Sequence, residues 1–144
     1  MAIKGNYKGI VISRINNIGS DATPKRVVVL DASDPDGFTT PSGAGVFPLG
    51  GLVRDLRFES GFTPDGHSGN IQISGVMDLE CKGTITAWHF VKIGDTAGLL
   101  SDAGAVDSLS DGATQTNVVG IALESGTAGS YISVWLNPSV IFLA

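Results

Sequence analysis

An all-β fold is predicted by three features of the chain. No segment sustains apolar residues at i, i+3, i+4 and i+7, short alternating apolar and polar runs recur throughout, and 20 glycines together with Ser, Asp, Thr and Pro separate those runs. The 144 residues suit one domain over 1–144, a small β-barrel or sandwich of short antiparallel strands with long Gly/Pro-rich loops. A chain of this size buries enough surface to fold without a disulfide or a metal.

The first alternating run is Tyr7 to Ile15, the second Arg26 to Ala32, and "NNIGSDATP" between them carries the residues that favour turns. Residues 31–51, "DASDPDGFTTPSGAGVFPLGG", hold too much Pro and Gly for a long regular element. They are expected to form a loop with one brief extended piece at Gly45–Phe47. "LVRDLRFES" sets Leu52, Leu56 and Phe58 against Val53, Asp55 and Arg57 and is expected to be a strand. In "IQISGVMDLEC", Ile71, Ile73, Met77 and Leu79 alternate with polar residues, and Gly75 is a candidate bulge. "GTITAWHFVKIGD" reads as a further strand. "TAGLLSDAGAVDSLSDGATQT" reads as loop with one helical turn near Gly98–Leu100. Val118 to Pro138 reads as a hairpin turning at Ser125–Gly129, and "SVIFLA" as a terminal strand after Asn137-Pro138.

Composition narrows the function. Charged residues are 16% of the chain, hydrophobic residues 42%, and mean hydropathy is +0.24. A typical soluble domain is about 25% charged. No apolar run reaches the ~18 residues of a membrane span, so the excess apolar surface is expected to meet other protein chains. A net charge of −5 and the scattered basic residues argue against nucleic acid, which needs a basic face. The single Cys81 excludes an internal disulfide and any cysteine-rich zinc site, and its alternating context suits a half-buried structural thiol.

The near-motifs for chemistry fall short. "GHSGN", Gly66 to Asn70, departs from G-x-S-x-G at Asn70 and lacks a strand-to-helix context, so His67 and Ser68 read as a surface turn. In "DASDPDG", placing Gly37 at the glycine of a calcium loop puts Ala32 and Gly43 where the end carboxylates belong, which leaves Asp34 and Asp36 as turn formers. No catalytic residue, cofactor site or metal site is expected. "VKIGDTAG" is like the hairpin of lipoyl and biotinyl carrier domains, but Lys92 stands inside the strand and not at a tip. Trp88 and Trp135 are expected first as core residues and second as interface anchors. Phe38 and Phe47 are further interface candidates. So are Ile3, Lys4, Tyr7 and Lys8, on a segment 1–8 read as an N-terminal arm able to add a strand to a partner's sheet edge.

One family is similar over the C-terminal half, Ser74 to Asn137. Gly75-Val76-Met77-Asp78-Leu79, Val91-Lys92-Ile93-Gly94-Asp95, Val119-Gly120-Ile121-Ala122-Leu123-Glu124 and Tyr131 to Asn137 resemble the successive hairpin elements of the capsid decoration, or cement, proteins of tailed bacteriophages. The first 70 residues depart from that pattern, with two strands and the loop 31–51. The resemblance implies a virion protein, made in the bacterial cytoplasm, that binds the major capsid protein on the outside of the head as a homotrimer. Another virion component, such as a head fibre base, spike or tail-tube protein, is the alternative. A small β hydrolase or carrier is the remote one.

Overall fold

The computed structural model describes residues 9–143, the side chains of 110–113 excepted. Ten strands run in chain order: β1 Val11–Asn16, β2 Val27–Leu30, β3 Gly37–Thr39, β4 Gly50–Leu52, β5 Ser68–Gln72, β6 Gly75–Glu80, β7 His89–Ile93, β8 Leu100–Ala105, β9 Leu109–Ala122 and β10 Tyr131–Leu143. A single 3-10 turn spans Val106–Ser108, and there is no α-helix among the described residues. The predicted all-β class is therefore the observed one.

The first five strands close into a barrel in the order β1-β3-β2-β4-β5. β1 and β3 pair in parallel, against the expectation of antiparallel strands throughout, and the other pairs are antiparallel. The barrel fills with Val28, Phe38, Leu52, Ile71 and Ala22. Asn16 is also fully buried, yet every polar atom of its amide is used. Its Nδ2 donates to the carbonyls of Ser20 and Thr63, and its Oδ1 accepts from the Ile18 amide, each at 2.9 Å. A buried amide is tolerated on that condition.

The second five strands form a sheet in the order β6-β10-β9-β7-β8. It curls until Cys81, just past β6, bridges Leu100 at the start of β8. Inside the curl lie Leu79, Cys81, Val91, Ile93, Leu100, Ile132, Val134 and Leu136. Val27 of the barrel belongs to this same core. Strand alternation thus sends adjacent residues of β2 to different cores, Val28 into the barrel and Val27 into the sheet. Backbone bonds reinforce the joint: the Val27 amide donates to Gly98 O, the Glu80 amide to Lys25 O and the Gly45 amide to Ile93 O, each at 2.9 Å. The layers also approach closely at Gly51, where a Cβ would strike the side chains of Met77 and Leu79.

Several elements differ from those expected. Gly45–Phe47 forms no strand. Residues 31–51 instead contain β3 and enter β4, because the Asp31 amide bonds Gly37 O and the Gly37 amide bonds Asp34 O, folding the chain back beside β2. Val53–Ser60 is a closed loop, not a strand. The Asp55 amide donates to Gly61 O at 2.9 Å, and the Asp55 carboxylate holds the Arg57 amide and guanidinium. Gly75 is no bulge. With φ +83° it is the corner at which the chain leaves the barrel for the second sheet, and its missing side chain leaves room for Gly9. Leu100–Ala105 is a strand without a helical turn before it, held by pairing to β7 with an irregularity at Ala103. Asn137-Pro138 does not end the last strand. β10 runs on to Leu143 through a register shift between Leu136 and Ser139, the setting in which a strand tolerates proline.

The packing at Gly51 yields a first prediction. Gly51→Ala should lower stability by about 1–3 kcal/mol, the usual range for an overpacked core. Adding Met77→Ala should recover part of that loss, so the double variant costs less than the sum of the singles in urea melts. Strict additivity would mean that the two layers do not meet there.

Candidate interaction surfaces

The positions examined for chemistry are occupied by structural work. His67 and Ser68 are exposed at the start of β5, and the His67 ring packs edge-on against Phe58 with centroids 5.5 Å apart. Asn17 Nδ2 donates to both Asp31 Oδ2 and Asp34 Oδ2 at 3.0 Å, while Asp31 also accepts from the Ser33 hydroxyl and amide. Those Ser33 bonds hold the Asp31 carboxyl below the ordinary carboxylate range. No group of three or more His, Cys, Asp or Glu side chains gathers at metal-binding distance among the described residues. Cys81 is more deeply buried than its half-buried expectation, and burial pushes its thiol pKa up, away from the nucleophilic thiolate. Lys92 lies in β7, as expected.

One polar pair was not foreseen. His89 Nδ1 lies 2.8 Å from Asp102 Oδ1, and the Asp102 carboxylate also accepts from the amides of Thr86 and Gly104. Burial works against the charged carboxylate, but the bonds from His89, Thr86 and Gly104 outweigh it and leave its pKa below the usual value. The partners are 13 residues apart and meet through the β7–β8 pairing, so no local motif announces them. The pair braces the turn before β7.

The apolar surface is where the molecule departs most from an inward-facing β fold. Trp88 and Trp135 are 59% and 53% exposed, so neither is the core residue first expected. Phe38 is the reverse case. At 0% exposure it fills the barrel and is withdrawn from the interface candidates. Phe47 is half exposed, at the end of the loop that reaches the second sheet. Ile3, Lys4, Tyr7 and Lys8 lie outside the described residues. Direct pairing places Phe90, Ile121, Trp135 and Val76 in one row across β7, β9, β10 and β6. Phe90 and Ile121 also join Val118, Ile141 and Leu143 in a small cluster separate from the main core. The row therefore gives the second sheet an apolar outer face with Trp135 standing from it. Leu56 is 87% exposed at the tip of the Asp55–Arg57 loop. Leu56 was expected on a strand, and the loop closure described above leaves it exposed instead.

These features define an all-β protein whose apolar side chains serve two internal cores and several aromatic or aliphatic surface positions. No protein-family model matches the chain, and no curated protein matches it. Among solved structures, the fold is similar to the head fibre gp8.5 N base of bacteriophage phi29, with a TM-score of 0.57 over 90% of this chain and 95% of that chain at 13% sequence identity. The two chains thus share an overall fold from the barrel through the second sheet.

Two measurements check this assignment of surface and core. Phe38→Ala should destabilise the protein by about 3–5 kcal/mol, whereas Trp135→Ala should cost about 1 kcal/mol or less, the scale of a cross-strand contact. The Asp102 pair predicts a pH effect with a definite sign. Its folded pKa is lowered, so its contribution is complete above the unfolded value and is lost as pH falls through the folded one. Asp102→Asn should therefore be less stable than wild type near neutral pH, and the gap should narrow below about pH 4.

Proposed function

We propose that the chain is a structural component of a tailed-phage virion, attached to the outside of the head. The observation that carries this reading is the fold likeness to a head fibre base over nearly the whole of both chains. The resemblance of Ser74–Asn137 to capsid decoration proteins supports it independently. Its partners are the major capsid protein and two further copies of itself, with neither nucleic acid nor membrane involved. It works by binding and not by catalysis.

Two forms of this function are favoured by different observations. As a decoration protein, it would clamp neighbouring capsid subunits. A ligand that binds only the assembled lattice stabilises each site by RT ln(1 + [L]/Kd), about 2.7 kcal/mol at a hundredfold excess over Kd. As a fibre base, it would present a rigid β platform to the head on one side and a fibre on the other, and the solved neighbour favours this form. Trp135 with its row, Trp88 and Phe47 are suited to supply the contact area in either case, since exposed aromatics dominate binding energy.

The forms separate on purified heads of the encoding phage that lack this protein. A decoration protein should bind in proportion to the capsid lattice and raise the temperature at which heads release DNA. A fibre base should bind at fewer positions and leave that temperature unchanged. Trp135→Ala should weaken either mode, and deleting residues 2–6 should lower occupancy if the N-terminal arm contributes. Absence of binding to such heads at micromolar protein would remove both forms.

A further inference from the structure

A shallow groove lies between the segment before β7 and the turn joining β9 to β10, rimmed by Thr84, Thr86, Glu124, Ser125, Thr127 and Tyr131. Its floor is an antiparallel bridge in which Ile85 and Gly126 exchange both amide-to-carbonyl bonds, at 2.9 and 3.0 Å. Ile85 is buried, so alternation sends Thr84 and Thr86 to the opposite, solvent side. The same register sets Thr84 across from Thr127 and Thr86 across from Ser125. Four hydroxyls thus stand in a two-by-two array. The three threonine hydroxyls take no part in the hydrogen bonds among the described residues, and Glu124 commits one carboxylate oxygen to the Ser133 amide while its other oxygen is free.

The backbone around this groove is unusual. Among the described residues, Lys25 (φ 63°) and Trp88 (φ 64°) are the non-glycine positions with left-handed backbone. Each adjoins a groove residue, Lys25 in space and Trp88 along the chain. Lys25 Nζ sits 5.0 Å from the ring centre of Tyr131, and Trp88 follows Thr86 by two residues. A left-handed backbone is disfavoured for side chains of this bulk, and such strain collects at ligand clamps. The surroundings hold it in place: the Trp88 amide donates to Ala122 O at 2.7 Å, the Val106 amide to Trp88 O at 3.2 Å and the Ala87 amide to Ser125 Oγ at 2.9 Å.

The lining selects among ligand classes. A peptide strand would need a free backbone edge, and the Ile85–Gly126 bridge has used its own. A phosphate-bearing ligand would meet the Glu124 and Glu80 carboxylates, and the nearby cations are engaged, Lys25 over Tyr131 and Arg26 with Glu80. Hydroxyls that both donate and accept, a carboxylate with a free oxygen and the exposed Tyr131 ring together match the alternating hydroxyl edges and C–H faces of sugars. We propose that this groove binds a carbohydrate chain, with the Thr84–Thr127 and Thr86–Ser125 hydroxyls and Glu124 bonding sugar hydroxyls and with Tyr131 offering a ring face. The proposal is independent of the virion reading and stands or falls separately from it.

The test titrates the full chain with maltohexaose, chitotetraose and an oligogalacturonate while following tryptophan fluorescence. At least one sugar should give a saturable change that persists in Trp135→Phe and is lost in Tyr131→Ala. The double variant Thr86→Val with Thr127→Val should weaken binding about tenfold, and Glu124→Gln should weaken it by a comparable factor, both with unchanged melting temperatures. No saturable binding of any of the three sugars would overturn the proposal. So would binding of equal strength in the wild type, the double variant and Glu124→Gln.

Discussion

The contact on which the rest of the structure depends is the wall shared by the barrel and the second sheet. β2 is four residues long and contributes to both cores through two adjacent valines. Fully burying a side chain of this kind stabilises by about 1.5–3 kcal/mol, so Val27 alone ties the layers with energy that matters to a marginally stable fold. Its amide bond to Gly98 O and the bare backbone of Gly51 against Met77 and Leu79 make the approach possible. A larger residue at Gly51 would hold the layers apart, and a polar one at Val27 would place an unpaired group in the core of the second sheet.

That arrangement accounts for the exposed aromatics. The barrel interior is small and is filled by Phe38 and aliphatic residues, while the curled sheet closes over branched aliphatic side chains. Both cores are filled without an indole, and both tryptophans remain outside. An outward Trp135 flanked across the sheet by Ile121 and Val76 can meet a partner with little loss of conformational freedom. The proposed attachment to a phage head would use that quality: contact area presented by a folded sheet.

How much of this was legible in the sequence depended on the range of the interactions involved. The β class, the closing hairpin and strands β1, β2, β6 and β7 follow from local alternation and turn residues, which are visible in one dimension. Leu56 was misplaced because a closed loop stabilised by Asp55 and Arg57 can mimic strand alternation over nine residues, Leu52 to Ser60. β8 was missed because "LSDAGA" is poor in β-forming residues and owes its strand to pairing with β7. The His89–Asp102 pair and the hydroxyl array arise from cross-strand register, which spacing along the chain does not encode. The tryptophans were expected inside because size suggests burial. Trp135 instead alternates with the buried Val134 and Leu136 and so faces outward, a placement set by the register of the assembled sheet.

The claim that both layers form one cooperative unit is tested most directly by native-state hydrogen exchange. Three amides report on it: Leu52, bonded to Arg26 O within the barrel, Val27, bonded to Gly98 O across the joint, and Cys81, bonded to Ser130 O within the second sheet. A shared wall predicts that all three open with the same free energy, within about 1 kcal/mol, and that this value equals the global stability. A barrel that exchanged at Leu52 through a separate, lower-energy opening while Cys81 stayed protected would contradict it.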